Sequence, residues 1–234
     1  MPDEILTIET EKLYDLSEQY MAVMCGFDRD TKGAKKIRDN AMKVRKKIFD
    51  GTKMDFLLRP FTKECVKEDH FLLENYKIEC NILSKVDLES VLGGYVFMFH
   101  APMPDLSSYP VSEMYLADSW QTSFVDAGRD VLRELLLKKA KKEYKKELYI
   151  TDTLAPGMFG IASSKVRTFF RFMDHKKIDL ELLESGMMNP VKSFVGIFLL
   201  LDQEMVLSSM NCSECLSGHK NCEYCKNYAA RWVG

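Results

Sequence analysis

The sequence predicts an α+β fold with a mixed or antiparallel sheet and flanking helices. Two observations carry this expectation. Helical and strand-like periods alternate irregularly rather than in the even rhythm of a doubly wound sheet, and the late segments are spaced as hairpins. With 234 residues the chain can bury a sizeable core.

Residues 9–25 carry Leu13, Leu16, Tyr20 and Met24 at helical spacing, and Gly26 ends the run. A second helix is predicted over 34–49, with Ile37, Ala41, Val44 and Ile48 inward, lysines and arginines outward, and Asp50-Gly51 as its stop. Residues 76–83 alternate Tyr76, Ile78, Cys80 and Ile82 with polar partners and read as a strand. A short helix over 86–92 and a buried strand over 94–99 (GYVFMF) follow. The longest helix is expected at 114–147, with Asp118 as a cap beside Ser119. Its second half, LKKAKKEYKKE, reads as a solvated helix end whose cations suit the C-terminal dipole, or as a surface for phosphate or an acidic partner. The segment LYI, a Pro156-Gly157 turn, a helix over 163–173 and a strand over 193–201 complete the body. This organises the chain as an N-terminal helical part over 1–70 packed on a main α+β domain over 71–210, then a cysteine-rich tail over 211–234.

Lys plus Arg (33) nearly balance Asp plus Glu (35), so no global field points to nucleic acid or a membrane. The acidic start MPDEILTIETEK lacks the plan of a signal peptide, and the longest apolar run, 194–201, is too short to span a bilayer. A cytoplasmic location is the expectation. Four of the seven cysteines fall within fourteen residues, in CSECLSGHKNCEYC. Cys212, Cys215, Cys222 and Cys225 form two Cys-x-x-Cys pairs, a spacing that can turn four thiolates onto one tetrahedral metal. Zinc ribbons separate their pairs by about fifteen to twenty residues. The gap of six here allows zinc and leaves an iron–sulfur cluster open. His219 lies inside the loop, as a substitute ligand or a solvated side chain. Cys25, Cys65 and Cys80 are scattered and read as small apolar residues.

The stretch APGMFGIASSKVRTFFRFMDHKKIDLELLESGMMNPVKSFVGIF is more particular. It joins the turn Ala155-Pro156-Gly157, an apolar helix ending before Asp174, an Ile-x-Leu run at 178–182, Glu184 to Pro190 (ESGMMNP), and Lys192-Ser193-Phe194-Val195-Gly196. Upstream lies ADSWQTSFVDAGRDVLRELL. Together these residues resemble the activation domain of cobalamin-dependent methionine synthases, in a short stand-alone form with a cysteine-rich tail. The resemblance covers roughly 76–225 and is strongest over 150–200. It implies a C-shaped α+β domain that binds S-adenosylmethionine and docks over a cobalamin domain, allowing inactivated cobalt to be reductively remethylated. It also implies a cobalamin-binding protein as partner, an electron donor, and cofactor-binding residues at Asp152, Ala155, Pro156, Gly157, Met158 and Glu184.

This chain departs from the family at two side chains. Thr153 stands where an arginine is expected and Met158 where a tyrosine is expected, although Phe159 could take the aromatic place. An arginine grips a carboxylate through two charge-assisted hydrogen bonds, which threonine cannot do. Arg167 or Lys165 would have to reach in from the next helix. Glu184 reads either as a contact for a ligand's amine or as an exposed strand-end carboxylate, and Asp152 as a backbone cap or a ligand contact. His100, at the end of a strand, reads as a hydrogen-bonded structural residue or as a lower cobalt ligand. His70 and His175 read as surface residues, and Met187 and Met188 as core or groove lining. Two functions follow: a corrinoid-system accessory protein, or a non-catalytic scaffold with a structural zinc tail.

Overall fold

The computed structural model describes residues 2–27 and 30–205. Its centre is a curled five-stranded antiparallel sheet with the order β1-β2-β5-β9-β6. The strands are β1 Glu4–Glu9, β2 Lys53–Thr62, β5 Val91–His100, β6 Tyr149–Ile150 and β9 Ser193–Leu201. The expected α+β class is therefore the observed one, and every pairing within the main sheet is antiparallel. Two small hairpins stand apart, β3 His70–Leu73 with β4 Tyr76–Glu79, and β7 Glu181–Leu182 with β8 Met188–Asn189. The helices are α1 Tyr14–Cys25, α2 Lys32–Phe49, α3 Val111–Tyr144 and α4 Val166–Phe172.

Strands β5 and β9 are apolar on both sides because both faces of the sheet are covered. One face packs Phe56, Phe97, Phe99 and Phe198 against α1, α2 and α3, with Trp120 and Phe124 at its centre. The rings interlock: Phe97 and Phe198 lie 4.5 Å apart and Phe56 and Phe99 4.6 Å apart. The other face packs Leu57, Val96, Met98 and Ile197 against the β3–β4 hairpin and α4. Helix α2 starts where Thr31 Oγ1 accepts the Ala34 amide at 3.1 Å, and it buries Ala41, Val44 and Ile48.

Several sequence expectations change. The helical reading of residues 1–70 passed over β1, β2 and β3, and the sheet runs continuously across position 70. Pro60 lies within β2 but past the end of β1, whose register stops at Leu58, so its missing amide costs no bond to β1. The strand expected over 76–83 ends at Glu79 and continues as a 3₁₀ turn over Asn81–Lys85. Ile37 is 46% exposed instead of inward. Asp118 caps nothing: α3 starts at Val111, and Asp118 lies two turns in, where it accepts Lys192 Nζ at 3.0 Å. Met187 is exposed, lining no core, whereas Met188 packs on the sheet. His175 is partly buried against the Phe170 ring, 4.8 Å away.

Asp3 ties the start of the chain to β2 and to the segment after α4. The Asp3 side chain, 1% exposed, accepts Arg59 Nε at 2.5 Å and the Asp174 amide at 2.8 Å, while Arg59 lies over the Phe172 ring. Burial is the largest single influence on the Asp3 carboxyl and pushes it up. The Arg59 hydrogen bond and charge, the Asp174 amide and Lys177 together outweigh it and hold the group below 3.8. A carboxyl depressed on folding contributes stability above its unfolded value and loses that contribution as pH falls through its folded value. Asp3→Asn should therefore cost about 1.5–3 kcal/mol at neutral pH. It should also flatten the fall in melting temperature below about pH 4. Thermal melts of both proteins from neutral to acid pH check this, and equal acid slopes would count against it.

Candidate functional site: the Pro156-Gly157 turn beside β9

The predicted site begins where α3 holds β6 and the residue after it in place. Arg133 donates from Nε to the Thr151 carbonyl at 3.0 Å and from Nη2 to the Ile150 carbonyl at 2.8 Å. Asp152 faces the same guanidinium at 3.9 Å. Thr151 is buried and exchanges bonds with Leu199, and Leu154 forms a two-way bridge with Ile197 at 2.9 and 2.8 Å. Residues 149–154 thus run along β9 as an edge, and then leave it.

They leave at the predicted turn. The Met158 amide donates to the Ala155 carbonyl at 2.9 Å around Pro156 and Gly157, and Gly157 has φ +88°. That backbone is open to glycine and strained for other residues, and proline at the preceding position fixes the turn's first dihedral. The Gly157 amide donates to Ile161 and the Ile161 amide to Met158, so residues 155–161 form a closed knot. Beyond Ile197, no strand of the described residues pairs with β9 on this side. Because Ile197 and Leu199 point their backbone groups this way, the two-residue period turns Val195 the same way. The result is a short stretch, 193–195, that no strand of the described residues pairs on this side, although Val195 is buried there and the Ser193 amide donates to the Val191 carbonyl. It is bounded by the turn on one side and by α3 on the other, where the Arg129 guanidinium lies 5.7 Å from the Phe194 ring centroid.

Ala155, Pro156, Gly157 and Met158 form this turn, whereas Asp152 lies before it and faces Arg133. Glu184 sits apart, exposed between β7 and β8, and α4 connects the two regions. Ser163, just before α4, lies against Gly157, and Arg167 of α4 donates to the Glu184 carbonyl oxygen. Lys165 is paired with Glu79 instead of reaching the turn. Phe159 packs against the sheet's far face with φ +52°. His100 presents Nδ1 to the Ala101 carbonyl at 2.6 Å and Nε2 to the Ile178 carbonyl at 2.9 Å, the geometry of a structural residue. Burial pushes the Cys80 thiol up to about 12, in keeping with a small apolar side chain. Sequence reasoning missed Arg133 and Lys192. Arg133 was legible in principle from its place in DAGRDVLRE, one helical turn beyond Arg129. Lys192 was not, because its partners Asp118 and Thr122 lie seventy or more residues away.

No family model matches this sequence, and no curated protein matches it. Among solved structures, the chain superposes on the crystal structure of the MetH reactivation domain bound to AdoHcy with a TM-score of 0.57. The match covers 88% of this chain and 80% of that one at 12% identity. The fold matches that of the MetH reactivation domain. An identity this low speaks to the fold alone. Within this MetH-like fold, Thr153 turns inward and places its methyl over Gly196, with no cation at its position. Arg133 and Arg167 are engaged by backbone carbonyls. The carboxylate grip that the family resemblance implies is therefore not built by residues 153–158. The cysteines Cys212, Cys215, Cys222 and Cys225 lie outside the described residues. Among the described residues no helix is long and apolar enough to cross a membrane.

Proposed function

We propose that this chain is an accessory protein of a corrinoid system, docking on a cobalamin-binding partner to assist reductive activation of cobalt or handling of its methyl group. The fold likeness to the MetH reactivation domain over 88% of the chain carries this reading. The Pro156-Gly157 turn, where Gly157 is exposed, is the surface offered to the partner. Mixing the protein with purified cob(II)alamin-loaded corrinoid proteins tests it. Expected are a complex in sedimentation and a change in the cobalt visible spectrum; neither appearing across a panel of such proteins would remove the reading.

The cysteine tail is proposed to hold a metal centre, cytoplasmic and reducing conditions keeping its thiols available. Four thiolates in two Cys-x-x-Cys pairs suit about one zinc per chain or one iron–sulfur cluster. An iron–sulfur cluster would relay an electron from a donor to cobalt; zinc would staple the chain's end. Cys212→Ser with Cys215→Ser should abolish metal uptake and leave the domain folded, since the cluster lies past β9, the last strand of the core. Elemental analysis after anaerobic purification and circular dichroism check both halves of that statement.

Thr153 favours a second reading. With its side chain buried over Gly196 and no arginine at its position, S-adenosylmethionine loses its expected anchor. A scaffold that keeps the fold and a zinc tail without binding the methyl donor accounts for that. Colourless zinc together with no calorimetric heat from S-adenosylmethionine distinguishes it from the first reading.

A further inference from the structure

Helix α2 concentrates charge in a way that the rest of the molecule does not. Its sequence KGAKKIRDNAMKVRKKIF holds eight basic residues and one acidic, a net +7 in a chain of net −2, which leaves −9 for everything else. At 3.6 residues per turn, Lys32, Lys35, Lys36, Lys43, Lys46 and Lys47 share about a third of the helix circumference, opposite the buried Ala41. Asp39 is the one carboxylate in that arc.

A solvated helix face can carry many lysines, and α3 shows what that looks like here. In its C-terminal half, Lys138, Lys139 and Lys141 pair with Glu134, Glu4 and Glu147, and just past its end Lys146 pairs with Asp202; among the described residues only Lys142 of that half has no carboxylate partner. On α2 only the rim is paired: Lys35 meets Asp30 at 2.7 Å and Lys47 meets Glu113 at 2.8 Å. Among the described residues no carboxylate pairs with Lys32, Lys36, Lys43 or Lys46, and the like charges at Lys32/Lys36 and Lys43/Lys47 oppose the helix that carries them. The field of such a row steers an anionic partner.

We propose that the outer face of α2 is a docking surface for an acidic protein, one presenting carboxylates along a strip of about 25 Å, the length of the helix. The chemistry of the arc selects this occupant. It holds no aromatic ring on which a nucleobase could stack and no arginine to read a base edge. It also lacks the band of large apolar side chains that seats a helix in a lipid surface. Lysines are hydrated point charges on flexible stems, suited to steering and to salt-sensitive pairing with carboxylates. This proposal is independent of the corrinoid reading and stands or falls separately from it.

The test uses the full chain and fluorescein-labelled poly-L-glutamate, read by anisotropy from low to physiological salt, with duplex DNA and phosphatidylserine vesicles as competitors. The wild type should bind polyglutamate with affinity that falls as salt rises. Joint replacement Lys32→Glu, Lys36→Glu, Lys43→Glu and Lys46→Glu should weaken binding by about tenfold or more. Replacing Lys138 and Lys142 of α3 and Lys145 just past its end by glutamate should leave it within about twofold. Circular dichroism verifies folding, and the same four positions changed to glutamine serve if charge reversal unfolds α2. Equal losses in the α2 and α3 variants, or tighter α2-dependent binding of DNA or vesicles than of polyglutamate, would overturn the proposal.

Discussion

Trp120→Ala is expected to lower the stability of this protein by about 3–5 kcal/mol, the largest single-residue effect in the helix-side core. Trp120 is fully buried on α3, stacks near Phe124 at 5.9 Å and donates its indole N–H to the Ala41 carbonyl on α2 at 2.8 Å. Truncation would leave a cavity between α2, α3 and the sheet and remove the indole's hydrogen bond, while the Ala41 carbonyl keeps its partner within α2. Trp120→Phe separates the two costs. It keeps most of the volume and loses only the hydrogen bond, so it should be milder by more than half. Urea unfolding followed by circular dichroism measures both; equal midpoints for Phe and Ala would show that volume is not what matters there.

Gly196→Ala comes next, because its effect reaches the candidate site. A Cβ at this position would stand 2.6 Å from the Thr153 methyl, 3.1 Å from the Leu154 carbonyl oxygen and 3.1 Å from the Phe97 ring. The strand before the turn lies almost directly on β9 here, and glycine is what permits that approach. Overpacking of this kind costs about 1–3 kcal/mol. Thr153→Ser removes the closest contact, so the double variant Gly196→Ala/Thr153→Ser should recover part of the loss. A double variant no more stable than Gly196→Ala alone would mean that the backbone, rather than the methyl, sets the clearance.

Why some of this was legible and some not follows from the range over which the information acts. Helices α2 and α3 and strands β5 and β9 declare themselves through local periodicity, and each lies within a few residues of its expected place. The Pro156-Gly157 turn is written in its residue types. Strand β1 was lost because its pattern EILTIE is short and half exposed, as an edge strand is, and β2 because Pro60 interrupts it. The role of Thr153 could not be read locally: it depends on Gly196, which lies opposite only once β9 has paired. Asp118 looked like a cap because Ser119 stands beside it, yet α3 begins a full two turns earlier with Pro110 in front of it. That no strand of the described residues pairs with 193–195 on the turn side is a property of pairing and has no sequence signature at all.

The antiparallel sheet has another consequence, at its opposite margin. Strand β6 pairs over two residues, whereas β1 pairs over six, so β1 is the long outer rail of the sheet. Its ends carry Glu4 and Glu9, neutralised by Lys139 and Lys53. Charged ends of that kind discourage a second molecule from adding its own strand. Loss of β1 would hand the margin to β2, ten residues that include the contiguous apolar run Phe56-Leu57-Leu58, a template for intermolecular zippering. Strand β1 therefore covers the apolar run of β2 as well as completing the sheet.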